Sequence, residues 1–338
     1  MSLKIGINGF GRMGRLALRA GWGMKNLDFV QINEIAGDLD CSAHLLKYDS
    51  VHGQWHESVS THKKSMLIDG EAISYTRHQA IEETDWSDCD LVLEATGRFR
   101  DTKQLASYFK QGVKKVVVAA PVKGALNIVM GVNDDQYKHG EHHLVTAASC
   151  TTNCLAPIVK VMQRELGIVH GTATTLHDIT NTQQLVDRGH RDLRRARSAL
   201  NSLIPTSTGS ASAIVDIFPE LKGKLDGLAV RVPLLNASLL DFVFESKKKT
   251  TEKAINELFQ QAALDELSGI LGFESLPLVS ADFCNDTRSA VIDGPSTMVI
   301  DGNLVKVLAW YDNEMGYAQR LVELIKMIAK QDRKQIKK

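Results

Sequence analysis

Leu3-Lys4-Ile5-Gly6-Ile7-Asn8-Gly9-Phe10-Gly11-Arg12-Met13-Gly14 is the stretch on which the fold turns. Leu3–Asn8 reads as a buried strand, G-x-G-x-x-G follows at once, and Arg12–Gly23 carries the apolar spacing of a helix. In a strand–turn–helix of this kind Gly9 permits the tight turn, Gly11 lets the backbone approach a pyrophosphate, and Gly14 lets helix and strand pack closely. The helix N-terminus offers backbone N–H groups and partial positive charge to the phosphates. Phe29–Asn33 reads as the next strand, and Glu34 ends it 20 residues after Gly14, where a carboxylate accepts bonds from ribose hydroxyls. A glycine turn alone would serve packing only. Strand, glycines, helix, strand and acid in that order predict a dinucleotide site. Glu34 repels a 2′-phosphate, which favours NAD and leaves NADP open where an Arg offsets it.

Outward from this unit, Asp90–Glu94, a helix over Lys103–Gln111, the β-branched Lys115–Ala119, Asn127–Val132 and His143–Thr146 continue the alternation of a parallel doubly wound sheet. The texture changes after Cys150. A helix is expected over Thr152–Leu166, with Pro157 in its first turns. Gly171–His177, Gly227–Pro233, Ser238–Glu245, Thr297–Ile300 and Leu304–Tyr311 read as strands and Glu252–Leu267 as a helix. That order predicts an α+β second domain with a mixed or antiparallel sheet. Gly316–Lys330 reads as a final amphipathic helix and Lys330–Lys338 as a frayed end. The expected division is a dinucleotide-binding domain of residues 1–150 plus 316–338, and a catalytic domain of 151–315.

Length and composition set the outer limits. The 338 residues suit about two domains. Forty Lys and Arg balance forty Asp and Glu, which argues against a nucleic-acid coat or an anionic membrane surface. No apolar run nears the ~18 residues of a membrane span. The N-terminus has neither a basic leader nor a long apolar stretch. Five scattered cysteines fit reduced thiols, so the expected place is the cytoplasm. Cys150 and Cys154 are not in zinc-site spacing, and no metal is expected.

Ala148-Ser149-Cys150-Thr151-Thr152-Asn153-Cys154 joins a strand to a helix. A thiol there meets helix N–H groups and dipole, which favour thiolate, while the hydroxyl neighbours offer bonds to an oxyanion. Cys150 reads either as a nucleophile or as a buried small hydrophobe; Cys154 suits the second description better. His177 ends a β-branched strand before polar residues and is the strand-end candidate base among eleven histidines, with a structural role as its alternative. Together the two permit acyl chemistry on a thioester. Arg188, His190, Arg191, Arg194, Arg195 and Arg197 form a solvated face, an ion-pair network or a nucleic-acid contact. Pro205-Thr206-Ser207-Thr208-Gly209 and Arg231 supply hydroxyls, N–H groups and a guanidinium fork suited to phosphate.

Along nearly its whole length the chain resembles a phosphorylating glyceraldehyde-3-phosphate dehydrogenase. The resemblance rests on Ile7–Arg12, His44–Gly53, Ala148–Pro157, Asp192–Arg197, Pro205–Gly209, Pro219–Gly223 and Trp310–Tyr317, with Ser-Cys-Thr-Thr-Asn-Cys-Leu-Ala-Pro the most specific. It implies that Cys150 attacks the aldehyde carbon of glyceraldehyde 3-phosphate and that His177 takes the hydroxyl proton as hydride leaves. Inorganic phosphate then opens the thioester. It places the substrate phosphate near Thr180, Arg195 and Arg231, and inorganic phosphate near Ser149, Thr151, Thr208 and Gly209. Arg12, Met13, Glu34, Arg77, Thr96 and Asn313 match cofactor-contacting positions, with Tyr317 beside the nicotinamide. A homotetramer is implied, with the loop from about Thr180 to Leu203 at a subunit interface.

Several positions depart from the family pattern. Asp178-Ile179 replaces a small residue and Tyr, Ala148 a frequent Asn, Met315 a usual Trp, and Leu234-Leu235 a polar/Pro pair. Arg188-Gly189 stands where NAD-selective members carry Leu-Pro, which leaves dual cofactor use open. Asn33–Asp38, Ala120–Gly124, His177–Asn181 and Val232–Ser238 resemble a bacterial subgroup associated with arsenate-resistance gene clusters, in which arsenate opens the thioester. Two other functions are weighed against this one. Erythrose-4-phosphate dehydrogenase opens its thioester with water and has less need of the Thr206–Gly209 hydroxyls. A non-catalytic nucleotide- or RNA-binding relative has no need of Cys150, His177 and Arg231 together.

Overall fold

Alternation of apolar residues becomes alternation of burial. Ser238–Ser246 is buried at every second residue, and Leu304–Tyr311 repeats the pattern, as strands with one covered face do. Leu91–Glu94 and Lys115–Val118 are buried throughout, as strands covered on both faces must be. A computed structural model describes residues 2–336, and two units emerge from it: residues up to Ala148 with those from Ala318 onward, and Ser149–Tyr317.

The first unit is built on a nine-stranded sheet. Its order is Leu126–Asn127, Leu144–Thr146, Lys115–Val118, Leu91–Glu94, Leu3–Asn8, Leu27–Asn33, Glu71–Thr76, Ser65–Ile68, Val59–His62. Every pairing from the first edge to Glu71–Thr76 is parallel; the last two strands add an antiparallel ribbon. The chain leaves Leu3–Asn8 toward Leu27–Asn33 on one side, and Leu91–Glu94 lies on the other. Gly9–Gly14 therefore sits at a topological switch point, where open parallel sheets bind ligands. The helix Arg12–Gly21 buries Leu16, Ala17 and Leu18. Leu16 and Leu18, withdrawn from water, contribute about 1.5–3 kcal/mol each, and Ala17 less.

The second unit carries a mixed eight-stranded sheet in the order Ile204–Ser207, Leu225–Arg231, Ile168–His177, Ser238–Ser246, Leu304–Tyr311, Ala290–Asp293, Leu271–Glu274, with Met298–Ile300 beside Leu304–Tyr311. The expected pairing of a Rossmann-type sheet with a mixed second sheet is thus present. Ile168–His177 runs parallel to Leu225–Arg231, which sets His177 directly opposite Arg231. The helix Cys150–Glu165 buries Thr151 through Val159 without a break and packs on this sheet.

Three local expectations are corrected. Asn127–Val132 is not a strand: only Leu126–Asn127 pairs, because Gly131 turns at φ 77° and the Asn133 Oδ1 accepts from Val129 N at 2.8 Å. Pro157 is the eighth helical residue and not in the first turns, so its ring removes one interior hydrogen bond, offset by the burial around it. The last helix runs Met315–Ile336, through most of the segment expected to fray, while Lys337 and Lys338 lie outside the described residues. The ribbon Val59–Thr76 and the helices Leu39–Lys47 and Ser210–Ile217 went unforeseen. Their apolar runs are short and polar residues interrupt them.

Candidate active site

In the first unit the glycine turn has three distinct geometries. Gly9 adopts φ 91°, and a Cβ there would lie 2.5 Å from Thr96 N. A Cβ on Gly14 would lie 2.1 Å from the Gly9 carbonyl oxygen. A Cβ on Gly11 would meet nothing within 4 Å. Gly11 also begins the helix Arg12–Gly21 without a side-chain cap or an acidic residue in its first turn. The space over this helix end belongs to a cleft of about 270 Å³ lined by Asn8, Gly9, Gly11, Glu34, Thr96 and Phe99 among others. Open space above an acid-free helix N-terminus fits a pyrophosphate.

Glu34 reaches into the same cleft with its carboxylate fixed: Phe10 N donates to Oε2 at 2.6 Å and Ala36 N to Oε1 at 2.7 Å. Thr96 lines the cleft and bonds through its N–H and hydroxyl to the buried Glu94. Burial raises the Glu94 carboxyl, against hydrogen bonds from Thr96, Tyr108 and Asn8. Arg12 pairs with Asp49. Burial would raise that carboxyl, but Arg12 and the N–H groups of His52 and Val51 bring it down to about 2. Met13 is half-buried on the first helical turn, and Arg77 is exposed with Nη2 3.4 Å from the Ile35 carbonyl.

In the second unit Cys150 is the first residue of its helix, behind the N-cap Ser149, whose Oγ accepts from Thr152 N at 3.1 Å. The turn before it is forced: Ala148 is buried at φ 54°, a left-handed conformation that costs a residue with Cβ about 1–2 kcal/mol. Cys150 Sγ lies 3.5 Å from His177 Nε2. His177 is 4% exposed, and its ring stands edge-on to Tyr311, 6.1 Å between centroids. Burial by itself lowers the imidazolium's pKa; Asp178 and then Cys150 reverse this and carry it up to about 9. Arg231 Nη1 lies 2.6 Å from His177 Nδ1 and donates to the Asp178 carbonyl oxygen at 2.9 Å. Its Nε is buried without a hydrogen-bond partner among the described residues.

The candidate anion-binding residues divide. Ser149 and Thr208 connect through Ser210, whose Oγ lies 3.4 and 3.1 Å from their hydroxyls. Thr151 shares a small recess with Thr208 and Ser210, and Gly209 is the exposed N-cap of the helix Ser210–Ile217. Arg195 is held by Thr206 Oγ1 at 2.8 Å, near enough to Arg231 for the two cations to repel. Thr180 is not drawn into this group: it lies exposed and bonds to Thr182 and Gln183. Arg197 pairs with Asp187, which gives part of the arginine run an ion-pair role.

Tyr317 is buried on the last helix. Asn313 is also buried, and its amide donates to Asp178 Oδ2 at 2.8 Å. Asp178 and Tyr311 are the functional-site neighbours that sequence reasoning missed as such. Asp178 registered only as an odd residue after His177, and Tyr311 only within a matching segment. Among the described residues no disulfide joins any of the five cysteines, and no helix is long and apolar enough to cross a membrane.

Two family models match, the glyceraldehyde 3-phosphate dehydrogenase NAD binding domain over residues 3–102 and the C-terminal domain over 149–313. A glyceraldehyde-3-phosphate dehydrogenase 3 of Nostoc sp. is 59% identical, covering 97% of this chain and 99% of the relative. The chain belongs to the glyceraldehyde-3-phosphate dehydrogenase family. Glyceraldehyde-3-phosphate dehydrogenase of Geobacillus stearothermophilus is 47% identical over 97% of this chain and 99% of its own length. Glyceraldehyde-3-phosphate dehydrogenase 1 of Bacillus subtilis is 44% identical over 98% and 99%. Membership makes the chain a dehydrogenase with NAD as cofactor, and the cleft at Gly9–Gly14 and Glu34 lies in its NAD binding domain.

Proposed function

We propose that this enzyme oxidises glyceraldehyde 3-phosphate and captures the acyl group on inorganic phosphate, with Cys150 as nucleophile and His177 as base. The observation that carries this reading is the 3.5 Å approach of Sγ to Nε2 at a helix N-terminus, with Arg231 alongside. His177 takes the thiol proton, the sulfur adds to the aldehyde carbon, and Nε2 returns that proton to the new alkoxide. The new hydroxyl gives its proton to Nε2 as the carbon loses a hydride, leaving a thioester on Cys150. NAD, when bound, supplies the hydride acceptor. A phosphate oxygen then attacks the acyl carbon and the carbon–sulfur bond breaks, releasing 1,3-bisphosphoglycerate and the thiolate.

Arg231 and Arg195 are assigned to the substrate phosphate, and Ser149, Thr151, Thr208 and Gly209 to the attacking anion. The hydroxyl chain Ser149–Ser210–Thr208 supports the second assignment. Arg12, Met13, Arg77, Thr96, Asn313 and Tyr317 are assigned to the cofactor with the glycines and Glu34. Arsenate is nearly isosteric with phosphate, so the same hydroxyls accept it, giving 1-arseno-3-phosphoglycerate and the subgroup role in arsenate resistance. A homotetramer in the cytoplasm completes the reading. Exposed Leu185, Val186, Leu193, Leu200 and Leu203 support an interface on the loop that bears them.

The test follows NADH absorbance with glyceraldehyde 3-phosphate, adding phosphate, arsenate or neither. Cys150→Ser is expected to lose more than about a thousandfold in rate. Equal turnover without either oxyanion would overturn the phosphorolytic reading in favour of a hydrolytic enzyme. An unchanged rate in Cys150→Ser would return that thiol to packing.

A further inference from the structure

We propose that Asp178 is a positioning residue for His177, its buried carboxylate keeping the ring proton on Nδ1 so that Nε2 alone exchanges protons with Cys150 and the substrate hydroxyl. This deepens the proposed function and rests on its assignment of His177 as base. The carboxylate Oδ1 lies 2.7 Å from His177 Nδ1, and Asp178 is 1% exposed. Asn313 Nδ2 donates to its other oxygen at 2.8 Å, and Ser238 Oγ lies 3.4 Å from Oδ1 and accepts from Asp178 N at 3.2 Å. Strand, side-chain amide and hydroxyl thus hold the carboxylate against one edge of the imidazole.

Nδ1 has three neighbours, Arg231 Nη1 as a donor and, as acceptors, Asp178 Oδ1 at 2.7 Å and the Asp178 carbonyl oxygen at 2.9 Å. Arg231 Nη1 stands 2.6 Å away and, were Nδ1 bare, would donate to it. The ring proton would then sit on Nε2, and a neutral ring could not take the Cys150 proton. Asp178 Oδ1 would face a ring lone pair at 2.7 Å with nothing between. With the proton on Nδ1, each group is served. The ring donates to the carboxylate, and Arg231 donates to the Asp178 carbonyl oxygen at 2.9 Å. Charge-assisted bonds of the first kind are about twice as strong as neutral ones. A buried carboxylate left without its donor costs more than a guanidinium that has a carbonyl available.

The charged and titratable groups facing the ring are Cys150 from its helix, Arg231 from the strand paired with that of His177, Tyr311 from the strand two places away, and Asp178 itself. Asp178 is the anion that offsets Arg231 when the ring becomes a cation. The upward displacement of the His177 pKa to about 9, against burial, agrees with that balance. The proton leaves sulfur or the substrate oxygen for Nε2 and later returns.

Asp178→Asn in the full-length enzyme keeps the shape and removes the charge. The probe is alkylation of Cys150 by iodoacetamide across pH, with the modified residue identified by mass spectrometry, so that no aldehyde turnover is needed. The expected result is a midpoint displaced by at least one pH unit. In steady state kcat falls more than tenfold, while KM for glyceraldehyde 3-phosphate stays within twofold. Superimposable alkylation profiles would overturn the proposal. Should Asp178→Asn fail to fold, the unsubstituted enzyme with ¹⁵N-labelled histidine decides. On the alkaline side of its titration the neutral His177 ring is expected to hold its proton on Nδ1, and a bare Nδ1 overturns the proposal. An Asp178-dependent alkylation profile without aldehyde oxidation would reject the proposed function and leave this one standing.

Discussion

The Tyr311 hydroxyl lies 3.0 Å from the Thr151 hydroxyl, although 160 residues separate them in the chain. The same oxygen lies 2.7 Å from Thr175 Oγ1, and the Tyr311 ring meets the His177 ring edge to face. One buried phenol therefore ties the first turn of the Cys150 helix to the strand that ends at His177. Burial holds the phenol well above its usual pKa, so it stays a neutral hydrogen-bonding group.

Tyr311→Phe removes both bonds and leaves two buried threonine hydroxyls to find other partners. A loss of about 1–3 kcal/mol in urea unfolding is expected. kcat should fall with it, because the Cys150–His177 approach is set through this residue, while NAD affinity stays unchanged. Wild-type kcat in Tyr311→Phe would limit the contact to stability.

His177 links stability to pH. Its folded pKa lies above the unfolded value, so the stabilisation is fully present below about pH 6.5 and is lost as pH rises through about 9. Urea midpoints measured from pH 6 to 10 should decline across that window. His177→Gln should flatten the decline, and an equal slope in both proteins would remove His177 as its source.

Gly11 and Gly14 are expected to separate ligand binding from folding. Gly14→Ala drives a Cβ against the Gly9 carbonyl and should cost roughly 1–3 kcal/mol by thermal melting. Gly11→Ala meets no protein atom, so its Tm should hold while Kd for NAD, by calorimetry, rises at least tenfold. Unaltered NAD binding in Gly11→Ala would place the pyrophosphate elsewhere.

Glu34 bears on the choice of cofactor. The carboxylate is aimed into the cleft by two backbone N–H groups, where a 2′-phosphate would meet its charge. The enzyme should prefer NAD yet turn over NADP detectably, and Glu34→Gln should raise NADP kcat/KM relative to NAD by about tenfold. A wild-type kcat/KM for NADP above that for NAD would contradict the assignment.

Much of the site was legible because its signals are local. Gly9, Gly11 and Gly14 answer to one turn, and Ser149-Cys150 to one helix end, so residue spacing carries the geometry. Thr180 shows the limit of that reading: adjacent in sequence to the His177 segment, it turns outward and bonds to Thr182 and Gln183. Ser210 shows the converse, a residue with no motif of its own that joins Ser149 to Thr208.

Spacing and residue type by themselves determined a doubly wound first sheet, a mixed second sheet, a nucleotide turn and a candidate thiol–imidazole pair. Only the tertiary structure decided what surrounds that pair. Strand pairing set Arg231 opposite His177, and chain return brought Tyr311 and Asn313 beside residues more than a hundred positions earlier. The carboxylate of Asp178 stood next to the histidine in the sequence all along. Whether it faced solvent or the ring depended on a buried amide and hydroxyl from distant parts of the chain, and no local pattern encodes contacts of that range.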